Sequence, residues 1–251
     1  MVQKNSSLNN FKTKPDQPIG IFDSGPGGLA VLKYILAYLS AENIIYLGDT
    51  ARQPYGIQDP AQVKQYTIEA CTYLKKNHAK CIMIGCNTAS VAGLSTAQKL
   101  LPDIPILGMI DSGVMALSKI DQGQKIGVWG TRLTVNSHAY QNAIRNYDET
   151  LIVHEEACPE LLRMAEKGAI QNKDQIKGLC ERHYEPLRSK GVSKLILGCT
   201  DLTCVRDEIE DVVGQEVEII DPAEKIVQHA ACLLKESDLI NTQKVSDRHY
   251  D

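Results

Sequence analysis

Short apolar runs, rich in β-branched residues, alternate along this chain with longer amphipathic stretches. Each run is bounded by Gly, Pro or Asp, which is expected of strands that are covered on both faces. The alternation predicts an α/β protein with a mainly parallel sheet. The strand candidates are Ile19–Phe22, Ile44–Leu47, Cys81–Gly85, Ile104–Met109, Lys125–Trp129, Leu151–His154, Lys194–Leu197 and Glu216–Ile220.

The clearest helix is predicted over Pro60–Asn77. Asp59 precedes it and can cap its first turn, and proline suits the first helical position because the N–H it lacks would be unpaired there. A stripe of small or apolar side chains recurs at helical spacing and predicts the buried face. The stripe consists of Val63, Thr67, Ala70, Cys71 and Leu74.

The two halves of the chain repeat the same order of motifs. The run IGIFDSGPGGLAVL, from Ile19, is matched by IGVWGTRLTVNSHA, from Ile126. KCIMIGCNTAS, from Lys80, is matched by KLILGCTDLT, from Lys194, and PILGMIDSG is then matched by VEIIDPAE. An internal repeat of this kind predicts two similar half-domains that face each other. A cleft between them would carry equivalent groups on its two walls.

Both ends of the chain are polar. Residues 1–17 contain lysines but no apolar segment like that of a secretory signal, so we expect a disordered leader. Residues 236–251 are predicted to be a polar tail that frays. No run of the sequence approaches the ~18–20 apolar residues that a membrane-spanning helix needs.

Composition narrows the classes of function. The chain has 251 residues, of which 43% are hydrophobic, and a formal net charge of −4. This charge argues against a nucleic-acid-binding protein that uses a broad basic face. The eight cysteines lack the dense spacing of a disulfide scaffold, and several lie in apolar runs, among them Cys71, Cys81 and Cys232. We therefore expect a reducing compartment, the cytoplasm.

Two cysteines occupy equivalent positions in the repeat. Cys86 and Cys199 each follow a strand candidate and a glycine, and each precedes small hydroxyl or amide residues. Ligands of parallel α/β folds bind beyond the carboxyl ends of the strands. A helix that begins there presents free N–H groups to a carboxylate and lowers the pKa of a thiol toward neutrality. The alternative is that both cysteines are buried and inert.

A metal site is a second alternative for these cysteines. Cys81 and Cys86 are spaced C-x4-C, as are Cys199 and Cys204. Zinc sites use cysteines on one short turn, whereas Cys81 begins a predicted strand and Cys86 follows its end. We therefore expect no metal ligands among these residues.

A glycine-rich turn follows the first strand candidate. Asp23 and Ser24 precede glycines at positions 25, 27 and 28, so the turn departs from the G-x-G-x-x-G pattern and leaves dinucleotide binding as the weaker interpretation. The glycines would let the backbone approach a small anion while Asp23 and Ser24 point into the cleft. A tight strand-to-helix turn capped by these two side chains is equally consistent with the sequence.

Six segments in order resemble the glutamate racemases of the cofactor-independent aspartate/glutamate racemase superfamily. They are IGIFDSGPGGL, YLGDTARQPYG, GCNTAS, GTRLTVNS, EACPELLRMAEKG and LILGCT. The resemblance implies interconversion of L- and D-glutamate, which supplies D-glutamate for bacterial peptidoglycan. It implies no cofactor and no metal, an acidic amino acid as the only small-molecule partner, and no nucleic-acid or membrane partner. It is compatible with a homodimer.

The resemblance covers residues 18–235 and implies a domain organisation. Two similar three-layer α/β half-domains with mainly parallel sheets are related by a pseudo-twofold axis, and the active site lies in the cleft between them. The first half-domain is expected to comprise residues 18–109 plus 215–235, because the last strand and helix return to it. The second is expected to comprise residues 110–214.

The resemblance also assigns roles to matching residues. Inverting a carbon by proton exchange needs a base on one face and an acid on the other, and a thiolate–thiol pair meets that demand. Cys86 and Cys199 would be these two groups, and Asp23 would accompany Cys86. Glu166 matches a carboxylate near the site, although it could be a solvated helix residue. The implied substrate-binding residues are Asp23, Ser24, Pro54, Tyr55, Gly56, Cys86, Asn87, Thr88, Thr131, Cys199, Thr200 and Glu166.

One position departs from the family pattern. Glutamate racemases typically read Gly-Cys-Thr-His at the second cysteine, whereas this chain has Asp201 in place of the histidine. A carboxylate opposes ionisation of the neighbouring Cys199 thiol, although aspartate-type members of the superfamily carry an acid at this position. Asp201 is a further catalytic candidate. Aspartate racemisation and non-catalytic binding of an acidic amino acid are the alternatives to glutamate racemisation.

Overall fold

The computed structural model, which describes residues 11–117, 121–168 and 172–242, contains two four-stranded parallel sheets. The first consists of β1 (Ile19–Asp23), β2 (Ile44–Gly48), β3 (Cys81–Ile84) and β4 (Ile106–Gly108), in the order β2-β1-β3-β4. The second consists of β5 (Lys125–Gly130), β6 (Ile152–Ala157), β7 (Lys194–Gly198) and β8 (Glu218–Ile220), in the order β6-β5-β7-β8. The shared strand order confirms the predicted α/β fold with two similar halves.

Helices cover both sheets. In chain order they are α1 (Leu29–Tyr38), α2 (Pro60–Lys76), α3 (Asn87–Leu100), α4 (Met109–Met115), α5 (Arg132–Asn136), α6 (Ala139–Tyr147), α7 (Pro159–Glu166), α8 (Lys173–Arg188), α9 (Arg206–Val213) and α10 (Pro222–Glu236). We call the first sheet and the helices packed on it the first half, and the second sheet and its helices the second half.

Alternation along the strands divides each half into three layers. In β1, Ile19 and Ile21 face a cluster formed with α1 and α10, whereas Phe22 faces a cluster formed with α2 and α3. In β5, Trp129 packs with α7, α8 and α9 on one face, and Val128 packs with α4 and α6 on the other. Because both faces of each sheet are covered, the central strands β1, β3, β5 and β7 are mostly apolar, whereas the edge strand β6 carries His154, Glu155 and Glu156.

Helix α2 forms as its sequence predicts. Asp59 accepts hydrogen bonds from the backbone N–H groups of Ala61 and Gln62, and Pro60 occupies the first helical position. The predicted stripe is the buried face of the helix, with Val63, Thr67, Ala70, Cys71 and Leu74 all buried. The helix ends at Lys76, one residue before the predicted end.

The last strand corrects the predicted domain boundary. Residues 215–235 were expected to return together to the first half, but β8 pairs in parallel with β7 in the second sheet. Helix α10 leaves that sheet and buries Ala223, Ile226 and Val227 against the first one. The chain therefore crosses between the halves at Asp221, whose carboxylate caps α10 by accepting from the N–H of Ala223.

The parts of the polar ends that the structure describes are packed, which corrects the expected leader and tail. Lys80 is fully buried; its Nζ donates to the carbonyl oxygens of Pro15, at 2.6 Å, and Leu239, at 2.7 Å, and forms an ion pair with buried Glu42. Glu42 in turn accepts from the N–H of Asn241 at 2.9 Å. A buried ammonium needs such partners, and they fix both segments. Residues 1–10 and 243–251 lie outside the described residues.

The cysteines do not pair with one another in the structure. All eight cysteines are free thiols, and Cys71 and Cys81 are buried as expected, but Cys232 is exposed on α10. The apolar residues around Cys232 in the sequence belong to the packed face of α10, whereas the Cys232 side chain does not. None of the helices in the described ranges combines the length and the apolar character that crossing a bilayer requires.

Candidate active site

The two candidate thiols lie at the carboxyl ends of equivalent strands. Cys86 follows β3 after Gly85, Cys199 directly follows β7, and β3 and β7 each hold the third position in their sheets. Both side chains line one cavity of about 110 Å³ between the halves. The structure thus brings to one cavity, from opposite halves, the two cysteines that the repeat pairs.

Cys86 accepts hydrogen bonds on its sulfur. Its Sγ lies 3.4 Å from the N–H of Ala89, in the first turn of α3, and 3.4 Å from the Oγ of Ser24. The Ser24 hydroxyl is also 3.4 Å from Oδ1 of Asp23, so it bridges the carboxyl group and the sulfur. Cys86 is therefore the N-cap of α3, as the predicted helix start requires.

The expected lowering of the thiol pKa values is wrong. Burial raises the pKa of Cys86 to about 12, and the nearby Asp23 carboxylate adds to the rise. The pKa of Cys199 is raised well above its usual range by burial and by Asp201. The loss of hydration therefore outweighs the hydrogen bonds that stabilise a thiolate at Cys86.

Cys199 has a different environment from Cys86. No α-helix begins directly after it, because residues Thr200–Val205 form a 3-10 turn and α9 begins only at Arg206. Its thiol donates to Oδ2 of Asp201 at 3.4 Å. Burial raises the pKa of Asp201 to about 6, and the charge of Glu166 contributes to the rise. Asp201 is thus a carboxyl group in direct contact with the Cys199 thiol.

Asp23 links the two halves. It is 2% exposed, and its Oδ2 accepts from the hydroxyl of Thr200 at 3.1 Å while its Oδ1 accepts from the N–H of Gly25 at 2.9 Å. Burial, followed by the charge of Asp201, raises the pKa of Asp23 to about 7. Asp23 does not itself line the cavity but lies behind Ser24 and Thr200, which do.

The glycine-rich turn packs against the second half. Pro26–Gly28 form a 3-10 turn, and a Cβ on Gly27 would lie 2.6 Å from Oδ1 of Asp201 and 2.7 Å from Oγ1 of Thr200. Only glycine leaves room for these side chains. The turn therefore allows the two halves to pack closely against each other. Neither dinucleotide binding nor a simple capped turn predicts this role.

A loop from the first half covers the cavity. Pro54, Tyr55 and Gly56 line it, and the hydroxyl of Tyr55 donates to Oδ2 of Asp49 at 2.6 Å. Arg52 binds the same carboxylate through Nε at 2.6 Å. With its ring buried and its hydroxyl held, Tyr55 fixes the predicted Pro-Tyr-Gly segment over the site.

Threonine hydroxyls from both halves meet on another wall. Oγ1 of Thr88, in the first turn of α3, lies 3.0 Å from Oγ1 of Thr131 and 3.4 Å from Oγ1 of Thr134. Thr131 caps α5 by accepting from the N–H of Thr134. Thr88 and Thr131 line the cavity, and each hydroxyl can donate to a carboxylate.

Asn87 lies next to the cavity without lining it. Its side chain is buried, and its Oδ1 accepts from the hydroxyl of Tyr140, in α6 of the second half, at 2.7 Å. Glu166 does line the cavity, at the end of α7, where burial raises its pKa. The structure therefore places Glu166 at the site, not on a solvated helix face.

Two arginines that were not predicted from the sequence also line the cavity. Arg132 begins α5 directly after Thr131, and Arg163 lies on α7 one turn before Glu166. Neither guanidinium group bonds to another residue that the structure describes. Arg132 lies within the GTRLTVNS motif itself, so its position was a usable signal. The other lining residues that were missed are Ile57, Pro159 and Leu162.

The charges around the cavity are mixed. Glu166 and Asp201 line it and Asp23 lies behind it. In addition to burial, the charge of Asp201 raises the pKa of Asp23, and the charge of Glu166 raises the pKa of Asp201. Arg132 and Arg163 are the cations among the lining residues. The cavity can therefore accept a small ligand that carries both negative and positive charge, such as an amino acid.

Comparisons with known proteins give the family. The Asp/Glu/Hydantoin racemase family matches residues 19–230. The glutamate racemase of Chlorobaculum tepidum is 40% identical over 235 residues, which cover 93% of this chain and 86% of that protein. The glutamate racemase of Lactobacillus johnsonii is 34% identical over 234 residues, which cover 93% of this chain and 87% of that protein.

Solved structures of similar proteins have the same fold. A glutamate racemase isoform from Bacillus anthracis matches with a TM-score of 0.86 and 32% identity, over 90% of this chain and 85% of that one. The glutamate racemase of Francisella tularensis, solved in complex with D-glutamate, matches with a TM-score of 0.85 and 31% identity, over 92% and 85%. By the extent of the family match and the likeness of these relatives, the chain belongs to the Asp/Glu/Hydantoin racemase family.

Proposed function

We propose that this protein interconverts L- and D-glutamate by proton exchange between Cys86 and Cys199. The observation that carries the proposal is the placement of both sulfurs on one cavity, each after the third strand of its own half. A carbon atom held between them would have one sulfur on each face. The names of the relatives, which are glutamate racemases, support the choice of substrate.

The proton exchange balances with one thiolate, one thiol and no other reactant. One sulfur, as a thiolate, takes the proton from the α-carbon, so that the Cα–H bond breaks and an S–H bond forms. The opposite thiol delivers its proton to the other face, so that an S–H bond breaks and a new Cα–H bond forms. The reverse direction exchanges the two roles, which is why a matched pair is suited to the task.

Neighbouring carboxyl groups supply the thiolate. Because burial keeps both thiols protonated, each needs a base that can remove its proton. Asp201 contacts the Cys199 thiol directly, and the Ser24 hydroxyl lies between Asp23 and Cys86. By accepting the Cys86 proton on its oxygen and giving its own proton to Asp23, the Ser24 hydroxyl would connect this thiol to its base. Their pKa values of about 6 and about 7 leave a fraction of each ionised near neutral pH. The ammonium group of the substrate would stabilise the thiolate that forms.

Hydroxyl, amide and guanidinium groups would hold the substrate. Thr88, Thr131 and Thr200 line the cavity with hydroxyls, and the Pro54–Gly56 segment closes it on one side. The distal carboxylate of glutamate would lie toward Arg132 and Arg163, because a ligand with two carboxylates requires cations beside the acids of the site. We place the reaction in the cytoplasm, where D-glutamate would enter peptidoglycan synthesis.

Isotope exchange tests the proposal. The purified protein is incubated in heavy water with each enantiomer of glutamate and of aspartate, and deuterium at the α-carbon is followed by proton NMR. The proposal expects exchange and inversion of both glutamate enantiomers. Faster exchange of aspartate than of glutamate would indicate that aspartate is the substrate. Binding of glutamate without incorporation of deuterium at the α-carbon would indicate a binding protein and not an enzyme.

A further inference from the structure

One buried side chain touches the residues next to both candidate cysteines. Tyr140, in α6, is fully buried, and its hydroxyl donates to Oδ1 of Asn87, the residue after Cys86. A Cβ on Gly198, the residue before Cys199, would lie 3.3 Å from Cε2 of the Tyr140 ring. Because these neighbours come from different halves, the Tyr140 side chain spans the cleft.

We propose that Tyr140 is a positioning residue. Its hydroxyl holds Oδ1 of the Asn87 amide, which leaves Nδ2 as the end of that amide available to a substrate, and its ring supports the strand end that carries Cys199. This inference rests on the proposed racemase function. Tyr140 itself touches neither sulfur nor substrate, so its effect would pass through Asn87 and Gly198.

The state of the Asn87 amide supports this role. Asn87 is 1% exposed, and its Oδ1 is occupied by the Tyr140 hydroxyl at 2.7 Å. Its Nδ2 is buried and has no hydrogen-bond partner among the described residues. A buried amide donor without a partner is costly unless a ligand supplies the acceptor. Asn87 does not itself line the cavity, but it stands between Cys86 and Thr88, which both do, so a substrate carboxylate bound there is the acceptor that we expect for Nδ2.

The bond from Tyr140 determines which end of the amide is available. A phenol hydroxyl that donates to Oδ1 leaves only Nδ2 for a ligand. Without the hydroxyl, the amide could turn and present its oxygen, which would repel a carboxylate. The ring is held on the opposite side by Gly113, where a Cβ would lie 3.1 Å from Cε1. The Tyr140 ring is thus packed between Gly113 and Gly198, and this packing orients its hydroxyl toward Asn87.

The test is a double-mutant cycle on Tyr140→Phe and Asn87→Ala. Phenylalanine keeps the ring between Gly113 and Gly198 and removes only the hydroxyl. We expect Tyr140→Phe to lower kcat/KM for both glutamate enantiomers about tenfold, the effect of one lost hydrogen bond in the site. In the Asn87→Ala background, the same change should alter kcat/KM less than about twofold, because the hydroxyl then has nothing to orient.

A second readout does not depend on residual activity. D-glutamate at saturating concentration raises the Tm of a protein that binds it. We expect Tyr140→Phe to reduce this ligand-induced shift in the parent protein and to leave it unchanged in the Asn87→Ala background. The matched control is Tyr34→Phe. It removes a hydroxyl that lies outside the cavity and donates to Oδ2 of Asp221 over 3.2 Å. It should retain the parent kcat/KM.

The outcomes separate this inference from the proposed function. If the parent protein neither binds nor racemises glutamate, the proposed function fails first. If the parent is active and Tyr140→Phe retains its kcat/KM and ligand-induced shift, only the positioning role fails. Equal losses in both backgrounds, or failure of Tyr140→Phe to fold, would assign the hydroxyl a purely structural role and overturn the inference.

Discussion

The hydroxyl of Thr200 donates a hydrogen bond of 3.1 Å to Oδ2 of Asp23. Thr200 belongs to the second half and Asp23 to the first, so this bond joins the halves beside the two thiols. Separation of the halves would break it and hydrate the Asp23 carboxyl group, whose pKa of about 7 comes chiefly from burial. Protonation of Asp23 and closure of the cleft are therefore coupled.

Asp23 should make the stability of the protein depend on pH. Its carboxyl pKa is about 7 in the fold and 3.8 ordinarily, so the folded chain binds this proton more tightly than the unfolded chain. Its contribution to the free energy of unfolding is present below pH 4 and is lost as pH rises to about 7. Urea unfolding across this range should show a flatter profile for Asp23→Asn. Asp207→Asn, on the exposed start of α9, should keep the parent profile.

Each thiol should be essential for complete turnover. Cys86→Ala removes the acid–base group on one face and Cys199→Ala the group on the other, so neither variant can both remove and return the α-proton. Circular dichroism of the reaction mixture should show racemisation lower by at least about 1,000-fold in each variant, the range of positioned acid–base groups.

The control for both variants is Cys204→Ala, because Cys204 is an exposed thiol outside the cavity that follows Cys199 by five residues. It should racemise glutamate at the parent rate. Substantial racemisation by either Cys86→Ala or Cys199→Ala would contradict the two-thiol scheme.

Asp201 should control the acidic side of the pH profile. It must be ionised to accept the Cys199 proton, and its pKa is about 6. In the direction that begins at Cys199, kcat/KM should therefore fall below about pH 6 in the parent protein. Asp201→Asn should lose this dependence and fall about 100-fold at its plateau, because an amide cannot take the proton.

Restoring the family histidine gives the converse test. An imidazolium beside Cys199 would stabilise the thiolate, whereas the Asp201 carboxylate opposes it. Asp201→His should shift the pH optimum of one direction downward in initial-rate measurements with each enantiomer. An unchanged profile would show that Asp201 does not control Cys199, and Asp207→Asn should behave as the parent.

The two cavity arginines should determine affinity for the distal carboxylate. Arg132 and Arg163 are exposed, so each should contribute modestly. We expect Arg132→Ala and Arg163→Ala to raise KM for glutamate about threefold each, with little change in kcat and a smaller effect at high salt. Initial rates at two ionic strengths measure this. Arg145→Ala, on the exposed face of α6, should leave KM unchanged; an equal rise there would point to net charge instead.

The buried ion pair of Lys80 and Glu42 should contribute strongly to the free energy of unfolding. Both side chains are almost fully buried, so Lys80→Ala would leave the Glu42 charge unpaired. We expect it to lower the free energy of unfolding by about 3–5 kcal/mol in urea titrations. Lys75→Ala, which breaks a partly exposed pair with Asp103, should cost at most about 1 kcal/mol. Similar losses in both variants would contradict the importance of burial.

The sequence was informative where local pattern and topology agree. The run Ile19–Phe22 and the stripe from Val63 to Leu74 are determined by burial on one face or two, and both form as predicted. The pairing of Cys86 with Cys199 on one cavity follows from the repeat, because equivalent strand ends of two facing halves meet. These features depend on periodicity and order, which a sequence displays directly.

Other features depend on three-dimensional neighbours. The segment that forms β8 matches the β4 segment in the sequence repeat, yet β8 pairs with β7 and so belongs to the second sheet. The thiol pKa values rise because desolvation outweighs the field of one helix start, and burial depth is not visible in a motif. Arg163 reaches the cavity only because α7 packs beside the second thiol.

The ammonium group of Lys80 holds two distant parts of the chain. It donates to the carbonyl oxygens of both Pro15 and Leu239, so these residues lie no more than two hydrogen bonds apart. Lys80 precedes β3 while Cys86 follows it, which places this junction at the opposite end of the strand from the cavity. A short linker could therefore connect residues 15 and 239 in a circular permutant that opens at an exposed loop and retains both sulfurs.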